Sequence, residues 1–193
     1  MPLVVTPGVL NPRLMRTGAF FASRLHAELL TPGSEVLDMG SGSGVCAICA
    51  ARHGARVVAV DINSEAVRCT RVNALLNGVE DRVEALQGDL FAPVAGRHFD
   101  VVLFNPPFEH GIPRDDADRA WRSVDVPERF AAGLPGHLKP SGFALLLLST
   151  YGDCERFVHE LRMRPLAITV FAQNHLVNER LTILKLTHDK TAA

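Results

Sequence analysis

Short runs of apolar and β-branched residues alternate along the chain with longer segments of helical periodicity. The runs predict seven strands, at Glu35–Met39, Arg56–Asp61, Arg82–Gln87, Phe99–Phe104, Gly142–Ser149, Leu166–Phe171 and Arg180–Leu186. The segments around them predict helices, at Thr17–Leu30, Val45–His53, Ser64–Leu76, Val126–Leu138 and Gly152–Met163. Strands that alternate with helices are typical of an α/β fold with a mostly parallel sheet.

The last two predicted strands are joined by a short segment, Ala172–Glu179. A crossover between parallel strands needs about a dozen residues or more, so we expect these two strands to form an antiparallel hairpin. A parallel sheet closed by a C-terminal antiparallel hairpin differs from the plain dinucleotide-binding pattern.

Length and composition narrow the class of protein. The chain has 193 residues, 47% of them hydrophobic and 21% charged, which predicts one globular domain over residues 1–193. A formal net charge of −1 weakens a nucleic-acid-binding interpretation. The longest apolar stretch, Phe143–Leu148, is far shorter than the roughly 20 residues that span a bilayer. Four cysteines without pairing by spacing fit a reducing compartment, and we expect a cytoplasmic protein.

A glycine-rich loop follows the first predicted strand. Asp38 ends the apolar run, and Gly40, Gly42 and Gly44 alternate with small residues before a helix begins at Val45. Glycines let the backbone pass close to a ligand at the carboxyl end of a strand, where open α/β sheets bind their ligands. The alternative is a tight structural turn, but three spaced glycines after an apolar strand favour a cofactor loop.

Two acidic residues at the next strand ends point to the kind of cofactor. Asp61 ends the second strand, where a carboxylate can accept hydrogen bonds from both ribose hydroxyls of an adenosine. Asp89 follows the third strand and can accept a hydrogen bond from an adenine amino group. Dinucleotide sites do not ordinarily need this second acid, so the pattern favours S-adenosylmethionine.

The fourth strand leads into an Asn-Pro-Pro-Phe loop, Asn105–Phe108. An amide or exocyclic amino nitrogen is a poor nucleophile because its lone pair is delocalised. Hydrogen bonds from its N–H groups to the Asn105 side chain and the Pro106 carbonyl would direct that lone pair at an electrophilic methyl group. Pro107 stiffens the loop, and Phe108 offers a flat face to a planar substrate. We therefore predict catalytic roles for Asn105, Pro106, Pro107 and Phe108.

These motifs resemble those of class I S-adenosylmethionine-dependent methyltransferases, with Asp38–Gly44 as motif I, Asp61 as motif II and Asn105–Phe108 as motif IV. The resemblance covers about residues 36–186 and implies a Rossmann-like fold. It implies S-adenosylmethionine as cofactor and a segment, residues 1–34, that covers the cofactor site. The predicted cofactor-binding residues are Thr17, Gly18, Asp38, Gly40, Gly42, Gly44, Asp61, Ile62, Asp89, Leu90 and Asn105.

Within that superfamily the chain looks most like the HemK group of release-factor N5-glutamine methyltransferases, in its compact branch. The closer match lies in Gly88–Phe91, Ala120–Trp121 and Asn178–Leu186. That branch works with a small zinc-binding activator protein, so the resemblance implies a heterodimer as one assembly. HemK proteins usually carry tyrosine where this chain has Phe108, and the same loop with phenylalanine is frequent in RNA-base methyltransferases.

Three functions follow as alternatives: methylation of a protein glutamine amide, methylation of adenine N6 or guanine N2 in RNA, and an inactive methyltransferase fold that serves as a binding subunit. The intact Asn105–Phe108 loop argues against the last. The polar insertion Glu109–Asp125 is either a solvated loop or a lid that contacts substrate through Trp121. Cys46 and Cys49 share one apolar helix without a second ligand pair, so we predict packing and no metal site.

Overall fold

The computed structural model describes residues 1–12, 16–115 and 118–189. Its strands are β1 Glu35–Met39, β2 Arg56–Asp61, β3 Val83–Gln87, β4 Phe99–Phe104, β5 Glu109–His110, β6 Arg122–Ser123, β7 Leu138–Ser149, β8 Leu166–His175 and β9 Arg180–His188. Its α-helices are α1 Thr17–Ser23, α2 Val45–Arg52, α3 Ser64–Leu76, α4 Val126–Gly133 and α5 Cys154–Arg162. Short 3₁₀ turns cover Ala92–Val94, Asp118–Ala120 and Leu134–His137.

In the described ranges the main sheet has seven strands in the order β3-β2-β1-β4-β7-β9-β8. The first five of these strands pair in parallel, and β9 pairs antiparallel with both β7 and β8. The predicted α/β fold and the C-terminal antiparallel hairpin are confirmed. Because β9 runs against β7, residues 176–179 of the hairpin return to the carboxyl end of β7.

The central strands of the sheet, such as β1 and β4, are buried on both faces, as their nearly continuous apolar sequences require. In β1, Val36 belongs to one hydrophobic core, with Ile48 of α2, and Leu37 to the other, with Phe130 of α4. Each fully buried side chain of this kind contributes about 1.5–3 kcal/mol of transfer free energy. This two-sided burial places β1 and β4 in the middle of the sheet, between β2 and β7.

The structure corrects the first predicted helix, which ends at Ser23 rather than Leu30. The Ser23 hydroxyl donates to the Phe20 carbonyl at 2.7 Å, and the chain then turns. Leu25 and Leu30 reach the core from this turn, with 3% and 0% of their surface exposed. Their apolar spacing predicts a helix, but the same burial is achieved without one.

The fourth helix and the fifth long strand also have different limits from those predicted. Helix α4 ends at Gly133 and continues as a 3₁₀ turn that contains Pro135, which has no N–H to extend an α-helix. Strand β7 begins at Leu138 rather than Gly142, because Leu138 pairs with Phe99 before an irregularity in the β4–β7 register. Among the described residues, no helix is both long and apolar enough to span a bilayer.

Candidate functional site

A cavity of about 940 Å³ lies at the edge of the sheet where the parallel strands end. Open α/β sheets bind ligands at this edge, and the volume is typical of a small-molecule site. The predicted residues that line it are Thr17, Gly18, Gly40, Gly42, Asp61, Ile62, Asp89, Leu90, Asn105, Pro106, Pro107 and Phe108. Asp38 and Gly44 are buried behind this lining.

The glycine loop connects β1 to α2 with an unusual backbone. Gly40, Gly42 and Gly44 have φ angles of 64°, 54° and 77°, in the left-handed region that only glycine adopts readily. A Cβ atom on Gly44 would also lie 3.0 Å from the Thr70 side chain of α3. The loop therefore brings bare backbone to the wall of the cavity.

Asp38, near the end of β1, supports this loop from the side of the sheet. Its Oδ2 accepts a hydrogen bond from the backbone N–H of Ala47, in the first turn of α2, at 2.8 Å. Burial raises the Asp38 pKa from 3.8 to about 8, and the negative charge of Asp61 adds to the rise, while the bond from Ala47 opposes it. Burial therefore disfavours the charged form of the Asp38 carboxyl group.

Asp61, at the end of β2, joins two loops through its carboxylate. Oδ2 accepts the N–H of Gly42 at 2.8 Å and Oδ1 accepts the N–H of Asn63 at 2.9 Å. Burial raises the Asp61 pKa, and these backbone N–H groups partly offset the rise. The Ile62 N–H is a third backbone group that lowers the Asp61 pKa. A carboxylate has about four acceptor positions, so about one is left for a donor of a ligand in the cavity.

Asp89, after β3, lines the cavity but is also paired within the protein. Its Oδ2 accepts from Arg129 Nη2 of α4 at 2.6 Å, and Arg129 Nη1 lies 3.4 Å from Asp125 Oδ1. Sequence analysis missed Arg129, which is 40 residues from Asp89 and carries no motif of its own. The next residue, Leu90, has a φ of 47°, which places strained backbone beside the cavity.

The side-chain amide of Asn105, directly after β4, has a hydrogen-bond partner for its nitrogen but, among the described residues, none for its oxygen. Its Nδ2 lies 3.5 Å from the hydroxyl oxygen of Thr17, at the start of α1. Its Oδ1 is buried and has no hydrogen-bond partner within the described residues. Because buried polar atoms are nearly always paired in folded proteins, an unpaired acceptor in a cavity wall is a feature that a bound donor would explain.

Phe108, at the end of the same loop, is held by the turn that leads into α5. The backbone N–H of Asp153 donates to the Phe108 carbonyl at 3.0 Å. A Cβ atom on Gly152 would lie 2.6 Å from that carbonyl oxygen and 2.7 Å from the Phe108 Cβ. The close approach of Gly152 therefore fixes the position of the loop from outside the cavity.

The hairpin between β8 and β9 supplies a carboxylate that sequence analysis did not assign. Glu179 lines the cavity, and its Oε1 accepts a hydrogen bond from the hydroxyl of buried Ser149. The Ser149 hydroxyl oxygen accepts in turn from the Tyr151 N–H at 3.1 Å. The predicted hairpin was the available signal, because its loop has to return to the carboxyl end of β7.

The insertion that follows the Asn105–Phe108 loop contains two short strands that pair with each other. Strands β5 and β6 pair in parallel, with Glu109 N–H donating to the Trp121 carbonyl at 2.7 Å. Arg122 forms an ion pair with Glu109 at 2.8 Å, and Trp121 is half-buried in the cavity wall. The segment therefore borders the cavity instead of projecting away from it.

These features fit S-adenosylmethionine. Three glycines with left-handed backbone form the loop after β1, the Asp61 carboxylate lines the cavity at the end of β2, and Asn105 carries an unpaired acceptor further along the same edge. The comparison with known proteins agrees. Residues 3–161 match the family described as "Methyltransferase small domain". The chain belongs to the methyltransferase small domain family. It is an S-adenosylmethionine-dependent methyltransferase of class I.

Curated relatives divide between protein and RNA substrates. A ribosomal RNA small subunit methyltransferase C of Alcanivorax borkumensis is 36% identical over 142 residues, which cover 73% of this chain but 40% of that protein. A putative protein N5-glutamine methyltransferase of Methanocaldococcus jannaschii is 30% identical, over 83% of this chain and 92% of that protein. The chain thus spans less than half of the first relative and nearly all of the second.

Solved structures share the fold at low sequence identity. A methyltransferase from Pyrococcus furiosus has a TM-score of 0.70 and 17% identity, over 96% of this chain and 88% of that one. The Mtq2–Trm112 complex of E. cuniculi, described as responsible for methylation of the eRF1 termination factor, has a TM-score of 0.67 and 20% identity, over 90% and 95%. Both likenesses support the Rossmann-like methyltransferase fold.

Proposed function

We propose that this methyltransferase acts on a planar nitrogen, and that its acceptor is the side-chain amide of a glutamine in a translation release factor. The observation that carries the proposal is Asn105, whose Oδ1 is buried in the cavity wall and has no partner in the described part of the chain. The N–H groups of an acceptor amide are the hydrogen-bond donors that Asn105 Oδ1 lacks among the described residues.

The loop from Asn105 to Phe108 would hold the acceptor in a defined orientation. Asn105 Oδ1 and the Pro106 carbonyl accept its two N–H groups, and Pro107 limits the movement of the loop because its ring fixes φ. Phe108 covers one face of the planar group. An amide that is already oriented loses less entropy on reaching the transition state than a free amide does, so the activation barrier is lower.

The cofactor, when bound, supplies a methyl group on a positively charged sulfur, which becomes a neutral thioether after transfer. As the bond from sulfur to the methyl carbon breaks, the nitrogen bonds to that carbon, and its raised acidity lets it release one proton to solvent. The protein's task is therefore to position the amide and to exclude water, more than to supply a strong base. The remaining predicted residues, Asp61 above all, would hold the adenosine part.

Two observations favour a protein acceptor over RNA. The net charge of −1 provides no general attraction to a polyanion. The glutamine methyltransferase relative is aligned with 83% of this chain, and the rRNA methyltransferase C relative with 73%. We also propose a cytoplasmic reaction, because a release factor acts where translation ends.

Guanine N2 of ribosomal RNA is the second candidate acceptor. It is favoured by the higher identity, 36%, to the rRNA methyltransferase C relative. It presents the same kind of planar amino nitrogen to Asn105. A structure of a 16S rRNA N2 methyltransferase from T. thermophilus, in complex with AdoMet and guanosine, shares the fold with a TM-score of 0.63 and 20% identity, over 96% of this chain and 45% of that one.

The test uses S-adenosylmethionine labelled in its methyl group. Purified enzyme is given, in parallel, a release factor with its Gly-Gly-Gln motif, the same factor with that glutamine changed to asparagine, and small ribosomal subunits. Each reaction is run with and without a small zinc-binding activator protein, as the resemblance to the compact branch requires. The proposal expects label only in the factor that carries the glutamine.

A lysate experiment identifies the polymer independently. Labelled lysate is divided, and one half is digested with protease and the other with ribonuclease. Label that survives ribonuclease and is released by protease supports the proposal. Label confined to RNA, with none in the release factor, would replace it by the second candidate.

A further inference from the structure

The first residues of the chain form a strap, residues 2–10, that lies along α3. Asn73 of α3, which is fully buried, accepts the Val4 N–H through Oδ1 at 2.7 Å and donates from Nδ2 to the Val4 carbonyl at 2.7 Å. The same Nδ2 donates to the Ser43 carbonyl of the glycine loop at 2.9 Å. The strap is thus attached to an element of the cofactor site.

Asn63 holds the other end of the strap. Its Nδ2 donates to the Gly8 carbonyl at 3.2 Å, and its Oδ1 accepts the Glu65 N–H at 2.9 Å as the N-cap of α3. Its backbone N–H donates to Asp61 Oδ1 at 2.9 Å. One residue therefore contacts the strap, the helix that supports the site and the carboxylate predicted to bind ribose.

The strap has little structure of its own. Residues 1–10 contain no helix or strand, and a turn from the Val9 N–H to the Thr6 carbonyl at 3.2 Å is their local backbone hydrogen bond. Gly8 has a φ of 81°, a conformation that glycine adopts readily and other residues do not. Asn63 therefore supplies a hydrogen bond to the strap from outside it, and it also lines the cavity.

Gly8, Val9 and Leu10 line the cavity together with Asp61, Ile62 and Asn63. We propose that Asn63 is a positioning residue, which holds Gly8–Leu10 as the outer wall of the nucleoside part of the cofactor site. A nucleoside on Asp61 is then enclosed between the end of β2 and the half-buried side chains of Val9 and Leu10. This inference rests on the proposed ribose role of Asp61, and it does not depend on the methyl acceptor.

The test compares two ligands that share the nucleoside. S-adenosylhomocysteine has the whole frame of the cofactor product, and 5′-methylthioadenosine lacks the amino-acid end. Asn63→Ser keeps a good N-cap for α3 but is too short to reach the Gly8 carbonyl. Gly8→Ala strains the strap from its other side, in a place where no atom lies within 4 Å of the added Cβ. Asn174→Ser, on β8 and outside the cavity lining, is the matched control.

Loss of one hydrogen bond that orders the wall should weaken both ligands by the same factor, about threefold to tenfold, in both strap variants. Calorimetry measures the affinities. In the presence of ligand, the backbone amides of residues 2–10 should exchange hydrogen more slowly in the wild type than in Asn63→Ser. The control should bind like the wild type.

Three outcomes would overturn the inference. Unchanged affinity for S-adenosylhomocysteine in both strap variants would show that the strap encloses nothing. A loss limited to S-adenosylhomocysteine, with 5′-methylthioadenosine unaffected, would move the effect to the amino-acid end. A lower melting temperature with wild-type affinity would make Asn63 a purely structural cap. Failure to methylate a release factor would leave all of these measurements interpretable.

Discussion

The side-chain nitrogen of Asn105 lies 3.5 Å from the hydroxyl oxygen of Thr17, and this contact joins the end of β4 to the start of α1. The two residues are 88 positions apart in the sequence. Because Nδ2 faces Thr17, the amide of Asn105 is turned so that Oδ1 is left without a partner in the described residues. Thr17 therefore links the start of α1 to the amide group that we propose to hold the methyl acceptor.

Replacement of Asn105 by alanine should slow methyl transfer far more than it weakens cofactor binding, although Asn105 is also among the predicted cofactor-binding residues. Loss of one preorganised hydrogen-bonding group at a reacting centre typically lowers kcat by about 10²–10³, or about 2.7–4 kcal/mol. Single-turnover transfer from labelled cofactor measures the rate, and calorimetry measures the affinity for S-adenosylhomocysteine. A variant that melts at a lower temperature but transfers methyl at the wild-type rate would remove Asn105 from the mechanism.

Replacement of Asp61 by alanine should weaken S-adenosylmethionine binding. The carboxylate is expected to accept from the ribose while it holds the N–H groups of Gly42 and Asn63. Hydrogen bonds to a charged group contribute about 1.5–3 kcal/mol, which is about tenfold to a hundredfold in affinity. Asp81→Ala, on an exposed carboxylate, is the control for calorimetry. Equal affinities in the two variants would rule out the ribose assignment.

The buried carboxyl of Asp38 should make stability depend on pH. Its pKa is about 8 in the folded protein and 3.8 ordinarily, so between these values the folded state binds more protons than the unfolded state. The free energy of unfolding should therefore fall, through this group, as pH rises from about 4 to about 8. An asparagine side chain cannot titrate, so the stability of the Asp38→Asn variant should increase relative to the wild type over that range.

Urea denaturation of the Asp38→Asn variant and the wild type at several pH values measures this difference directly. Asparagine keeps an oxygen that can accept the Ala47 N–H, so the comparison changes the charge and little else. A wild type that gains stability relative to the variant with rising pH would show that the carboxylate is stabilised, not disfavoured, by its surroundings.

The sequence predicts this fold well because burial leaves a periodic signal. Apolar runs locate the strands, and a parallel sheet then brings the ends of β1, β2 and β4 to one edge, with Gly42, Asp61 and Asn105 on it. Such reasoning does not find pairs of polar residues that meet through tertiary structure. Three such hydrogen bonds are Asp89–Arg129, Ser149–Glu179 and Gly8–Asn63, whose partners are 40, 30 and 55 positions apart in the sequence. No pattern in the sequence connects the two residues of any of these pairs.

The contact of Gly152 with Phe108 gives a prediction about catalysis from outside the cavity. An alanine Cβ at Gly152 would lie 2.6 Å from the Phe108 carbonyl oxygen, and because this neighbour is backbone the loop itself has to move. Misplacement of about 1 Å at a reacting centre can cost about 10²-fold in rate. We expect Gly152→Ala to lower kcat at least tenfold, by the same reasoning, while affinity for S-adenosylhomocysteine stays close to that of the wild type.

Gly136→Ala is the matched control for Gly152→Ala, because a Cβ atom at Gly136 meets nothing within 4 Å. Melting temperatures of both variants separate a displaced loop from a damaged fold, since Gly136→Ala reduces only the freedom of the unfolded chain. If the loop is the cause, kcat falls in Gly152→Ala alone, and the loss persists in protein that is fully folded and saturated with cofactor. A Gly152→Ala enzyme with the wild-type kcat would show that Phe108 can shift without consequence, and that the position of this loop is not what limits methyl transfer.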